Sequence, residues 1–162
     1  MKKYFITSFT FLLISFISFS QIQTPQPSPS STLIQKVGLI DVKIEYSRPS
    51  MRGRQIFGGL IPYNEVWRTG ANQNSKITFS DDVRIGTSKL SKGTYSIYTR
   101  PSLDSWELIL YKKIDNWGLP SNWDESQIAL STIAYSYALP FQIETFTIAL
   151  NNLNNNGATL DF

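Results

Sequence analysis

From Thr32 onward the chain alternates. Val42, Ile44 and Tyr46 are interleaved with Lys43, Glu45 and Ser47, and Ile77 and Phe79 with Lys76, Thr78 and Ser80. Tyr95 and Ile97 share one side of the run 94–99. A repeat of two sends successive side chains to opposite faces, so each run reads as a strand with one dry and one wet face. Turn residues part the runs: Asp81-Asp82 ahead of Val83 and Ile85, the stretch 90–93, and 101–105 ahead of Trp106, Leu108 and Leu110. Further runs are 128–134 and 141–150, then a turn-rich stretch 151–157 and a short closing run 158–162. The stretch 128–137 is read as strand, although its apolar positions also fit a helical turn. No segment carries a helical stripe with caps at both ends. Short strands at such spacing predict an all-β fold, an antiparallel β-sandwich or a jelly-roll-like barrel, in one domain over 32–162. The 8 Tyr, 10 Phe and 4 Trp suit a pleated, half-buried surface.

The residues ahead of this domain read differently. Lys2 and Lys3 precede an apolar run rich in Phe, Ile and Leu, and Ser18-Phe19-Ser20 gives the small-x-small pattern of a cleavage site. Residues 1–20 are therefore expected to be a signal peptide, cut before Gln21, with a periplasmic or extracellular destination. The apolar run is short for a bilayer span and has no basic flank after it, so no transmembrane segment is expected in the mature chain. Residues 21–31 (QIQTPQPSPSS) form a linker, because Pro25, Pro27 and Pro29 alternate and forbid a helix.

Composition removes whole classes of chemistry. There is no Cys and no His among the 162 residues. Thiol nucleophiles, disulfides, zinc sites of the usual kind, Ser-His-Asp catalysis and imidazole bases are all excluded. Carboxylate pairs for glycoside hydrolysis are not picked out by any spacing, and Gly58-Gly59 lacks the Lys-Ser/Thr of a phosphate loop. The enzyme reading is therefore weak, with no catalytic residue, metal or cofactor assigned. The net charge is +3, and two of those charges are Lys2 and Lys3. A domain that close to neutral has no general pull on nucleic acid.

One stretch stands apart. Residues 46–72 read YSRPSMRGRQIFGGLIPYNEVWRTGAN and gather Arg48, Arg52, Arg54 and Arg68 beside Tyr63 and Trp67. Guanidinium forks suit carboxylates, sulfates and phosphates, and they stack on aromatic faces. Arg48, Arg54, Trp67, Arg68 and Asn72 are thus the candidate ligand-binding residues. The structural alternative has Arg68 paired with Glu45, Glu65 or Asp81, and Trp67 serving as core. Two functions stay open: binding of a small anionic or glycan-like ligand or a protein partner, and a purely structural or interaction domain. A carboxylate-based hydrolase is a third. The closing run 158–162 is expected either to complete the sheet or to leave an edge that associates with a partner strand.

The same stretch, followed by ITFSDDVRIGTSKLSKGTYSIYT (77–99), Trp106, Asn116-Trp117-Gly118, Asp124-Glu125-Ser126 and Glu144-Thr145-Phe146-Thr147-Ile148, resembles the secreted bacterial family catalogued as domain of unknown function 2911. The resemblance covers nearly all of the chain beyond the linker. It implies an exported, β-rich domain with no established activity, and one further strand beyond Phe162.

Overall fold

The computed structural model describes residues 24–162. The expected signal peptide and the start of the linker lie outside them. Ten strands follow one another: β1 (Ser30–Val37), β2 (Ile40–Ser47), β3 (Lys76–Phe79), β4 (Val83–Ile85), β5 (Ser88–Leu90), β6 (Gly93–Pro101), β7 (Ser105–Tyr111), β8 (Ile128–Tyr135), β9 (Ala149–Asn154) and β10 (Gly157–Asp161). Six of them form one antiparallel sheet in the order β1-β2-β3-β6-β7-β8. The hairpins β4-β5 and β9-β10 make two further antiparallel sheets of two strands. The large sheet is open, with β1 and β8 as its edges, so no closed barrel forms among the described residues. A layered arrangement of the sandwich kind is what this architecture is consistent with.

Alternation accounts for the main core. Val42, Ile44 and Tyr46 line up across the sheet with Ile77 and Phe79, Tyr95 and Ile97, Leu108 and Leu110, and Leu130. All are buried, and the covering side chains come from the hairpins: Val83, Ile85 and Leu90 on one side, Leu150, Leu160 and Phe162 on the other. Each such side chain contributes roughly 1.5–3 kcal/mol. With no cysteine, no disulfide adds to burial and hydrogen bonding. Gly38 opens the two-residue turn between β1 and β2 at φ +58°, and a Cβ there would sit 2.7 Å from the Asn155 carbonyl oxygen. Only glycine lets that hairpin and the β9-β10 turn approach.

Three expectations need correction. Strand β1 begins at Ser30, inside the stretch read as linker. The run 141–150 is not a strand; pairing there begins at Ala149, and 141–148 is irregular apart from a bridge between Ser50 and Thr145. The turn expected over 151–157 shrinks to Asn155-Asn156, because the asparagines before it join β9. Their amides bond across the hairpin, Asn151 to Asp161 (2.6 Å) and Asn152 to Thr159 (3.1 Å), which outweighs their turn preference.

The second face of the large sheet is not simply wet. Tyr98, Ile109 and Tyr111 are buried there beneath Val66, Trp123 and Ile128. Tyr111 and Trp123 stack with ring centres 4.8 Å apart. Trp123 is presented by a short loop that ends in a 3-10 turn, Glu125–Gln127, capped by Asp124. Hydrogen bonds from Ser126, side chain and backbone N–H (2.9 Å to the latter), lower the Asp124 pKa below the ordinary aspartate value. The cap is therefore fully present above that ordinary value and is lost as pH falls through the lower, folded one. An NMR titration should find the Asp124 midpoint displaced downward, and Ser126→Ala should bring it back up. No movement in that variant would remove the Ser126 hydroxyl as a cause and leave the backbone N–H, which alanine keeps.

Candidate functional site

After Ser47 the chain leaves the sheet and does not rejoin it until Lys76. Arg48 fixes the departure: its backbone N–H donates to the Pro29 carbonyl (2.9 Å). A tight turn closes from the Arg54 N–H to the Met51 carbonyl (3.1 Å), with Arg52 and Gly53 at positive φ. A compact loop follows, closed by the Ile61 N–H on the Ile56 carbonyl (2.8 Å) and the Gly58 N–H on the Ile61 carbonyl (2.9 Å). The chain then runs beside the end of β6, where Trp67 and Thr99 exchange hydrogen bonds of 2.7 and 3.0 Å. Residues 68–74 form a mostly buried or half-buried loop before the Ser75 carbonyl accepts from the Ile97 N–H and β3 begins. The loop is firmly anchored. Thr69 is fully buried, bonds the Thr99 hydroxyl (3.0 Å), and accepts at its carbonyl from the Ser75 hydroxyl (2.6 Å). Gly70 sits at φ +143° with Ser75 and Ser47 too close for a Cβ.

This excursion and the irregular segment 141–148 line an open-mouthed cavity of about 860 Å³. Its walls are mostly apolar: Met51, Ile56, Phe57, Ile61, Trp67 and Phe146. An aromatic cluster lies at its base, with the Trp67 ring edge-on to Phe146 (5.1 Å), Phe57 (6.0 Å) and Trp106 (6.3 Å). Arg54 and Arg68 supply the positive charge of the lining. Among the described residues neither guanidinium has a carboxylate partner, so the structural alternative that pairs Arg68 with Glu45, Glu65 or Asp81 does not occur. Arg68 donates from Nη1 to the Asn72 carbonyl (3.2 Å) and lies against Gly118. Arg54 donates to the Ser50 and Met51 carbonyls (2.8 and 2.9 Å). Backbone carbonyls orient both groups without neutralising them.

Arg54, Trp67 and Arg68 thus come together on one cavity, while Arg48 and Asn72 are engaged elsewhere. The Arg48 guanidinium holds the Phe146 carbonyl (3.0 Å) and the Thr147 hydroxyl (2.7 Å). The Asn72 amide holds the linker end through the Ser28 carbonyl (3.1 Å) and Gln26 (3.3 Å), and its own carbonyl positions Arg68. Trp67 is at once core and wall. Residues 28–162 match the family described as Protein of unknown function (DUF2911). The chain belongs to that family. No curated protein and no solved structure matches it.

Several lining residues of this DUF2911 domain were not among the candidates. Phe57 and Met51 sit in the arginine-rich stretch itself, and for Phe57 its place between Gly53 and Gly58 was the available signal. Phe146 and Ile143 arrive from about ninety residues away and have no local signature. Among the described residues no group of three or more Asp, Glu, His or Cys could hold a metal ion, and no helix is long and apolar enough to cross a membrane.

Proposed function

We propose that this DUF2911 domain is a non-catalytic binding module of an exported protein, and that its cavity holds a small organic anion with an apolar body. The observation that supports this reading is the pair of guanidiniums, Arg54 and Arg68, on an apolar cavity with no carboxylate beside them. Aromatic walls take the body of the ligand, and the guanidinium forks take its carboxylate, sulfate or phosphate. Export is part of the proposal and rests on residues 1–20 alone. A structural reading draws support from Arg48 and Asn72, whose polar groups are spent inside the protein.

A thermal-shift panel separates the two. Medium-chain and aromatic carboxylates, phosphate and sulfate esters, and neutral sugars would be compared at graded concentration. An amphipathic anion at a hundredfold excess over its Kd should add about 2.7 kcal/mol. Silence across the panel would leave the structural reading standing; response to sugars alone would replace the anion with a glycan.

The arginines rank. Arg68 is half-buried, whereas the Arg52 side chain is exposed and serves only through its backbone N–H to Glu144 (2.9 Å). Arg68→Ala should cost about 1 kcal/mol of stability and abolish the response to anions. Arg52→Ala should stay within ~0.5 kcal/mol of the parent and respond normally. Equal melting points and equal responses would undo this ranking.

A further inference from the structure

Strand β8 is an edge of the six-stranded sheet, and among the described residues its outer backbone groups have no strand partner. Such edges are ordinarily guarded by charge, by proline within the strand, or by a covering element. This one is not. From 128 through 143 the sequence contains no Asp, Glu, Lys or Arg, and Pro140 falls beyond the strand. Ile133 and Tyr135 lie on one side of β8, opposite Glu107 and Ser105, and are 61% and 87% exposed. Past the strand, Tyr137, Leu139 and Phe141 keep the same period and are 76%, 47% and 64% exposed. At on the order of 200 Å² for a full aromatic side chain, these five expose roughly 700 Å². That is close to the ~800 Å² each partner contributes to a stable protein interface.

We infer that the end of β8 and the uncharged residues after it pair antiparallel with the same stretch of a second copy of this chain, about a twofold axis at Ala134, which sets 133–135 against the partner's 133–135 and the earlier part of β8 against the partner's 136–140. The axis is chosen by the side chains. It sets Ala134 against the partner's Ala134, where small residues let the backbones meet, and Ile133 against the partner's Tyr135 in both directions. Pairs of β-branched and aromatic residues are the favoured cross-strand contacts. The occupant is chosen by charge: a strand without charge offers nothing to a charged partner, and a copy of itself brings no like-charge repulsion. A twofold interface requires only this self-complementarity.

The absence of native cysteine makes the register testable. Residues opposed across such an axis have Cα atoms roughly 4.5–5.5 Å apart, within the span a disulfide bridges. Ala134→Cys, oxidised with copper phenanthroline in air, should give a covalent dimer. Ile34→Cys, exposed on the opposite edge strand β1, should not. In sedimentation velocity the purified chain should show twice the monomer mass, and the Ile133→Lys/Tyr135→Lys double variant should dimerise at least a hundredfold more weakly. Circular dichroism checks that this variant is folded; the cysteine readout stands without it. Four results would overturn the inference: a chain monomeric to millimolar concentration, no cross-link at Ala134→Cys, a cross-link at Ile34→Cys instead, or a lysine variant that dimerises as tightly as the parent.

Discussion

Replacing Trp67 by alanine should remove about 3–5 kcal/mol of stability, lowering the melting temperature by on the order of 10–15 °C for a domain of this length. The ring touches Phe57, Trp106 and Phe146, which come from the excursion after β2, from the start of β7 and from the segment before β9. Phe57 and Trp106 also meet directly, with ring centres 4.6 Å apart. Trp67 is therefore where three distant pieces of chain are packed together, and its removal leaves a hole that rigidly anchored neighbours cannot fill. Its backbone bonds to Thr99 survive the truncation, so collapse around the site is resisted. Trp67→Phe should cost markedly less and should keep the response to amphipathic anions, since an aromatic wall remains. Urea denaturation of the three proteins gives the comparison. A loss below about 1 kcal/mol for the alanine variant would mean that the cluster is not a packed unit, and the cavity floor would have to be assigned elsewhere.

How much of this could be read in advance depends on which force decided each element. Where one face is buried and the other wet, as in β2 with Val42, Ile44 and Tyr46, the period of two is printed in the residues and the strand is legible. It becomes illegible when both faces are buried. The run Trp106–Tyr111 is nearly all apolar because Leu108 and Leu110 serve the main core while Ile109 and Tyr111 serve the second one, and alternation alone does not announce that second core. Asparagine misleads in the opposite direction: Asn151 and Asn152 suggest a turn, yet their amides find partners across the β9-β10 hairpin and stay in the strand.

The candidate site was half legible for a related reason. The concentration of arginine, tryptophan and glycine between 46 and 72 marks a segment with work outside the sheet. What each arginine does, however, is set by geometry that no local pattern encodes. Arg48 meets the Phe146 carbonyl and Thr147, nearly a hundred residues on, whereas Arg54 meets only carbonyls of its own turn and stays exposed. Both read identically as letters. Contact with segment 141–148 separates the two roles, and that segment has no strand pattern to predict where it lies.

Tyr46→Phe should cost roughly 2–4 kcal/mol, far more than the loss of one oxygen atom at a surface. Tyr46 is buried at the end of β2, and its hydroxyl both accepts from the Ile148 N–H (3.1 Å) and donates to the Ile148 carbonyl (3.3 Å). Ile148 is 3% exposed and lies just before β9, where no strand pairs with it. The phenol thus stands in for a neighbouring strand, satisfying both backbone groups of one residue in the core. Phenylalanine preserves the edge-on packing against Phe146 but leaves a buried donor and a buried acceptor unmatched, each at about 1–3 kcal/mol. Tyr95→Phe is the control, because that hydroxyl makes one bond, to the Ser91 carbonyl (2.8 Å), and its loss should cost about 1 kcal/mol. Hydrogen exchange should show the Ile148 amide losing protection by on the order of a hundredfold in Tyr46→Phe, since each 1.4 kcal/mol is a factor of ten. Because Ile143 and Phe146 precede it on the same segment, the cavity should lose its response to anions together with that protection. An Ile148 amide as protected as in the parent, with stability within about 0.5 kcal/mol, would show that segment 141–148 is held without the phenol, by Arg48, by its backbone bonds to residues 49–52 and by apolar contacts.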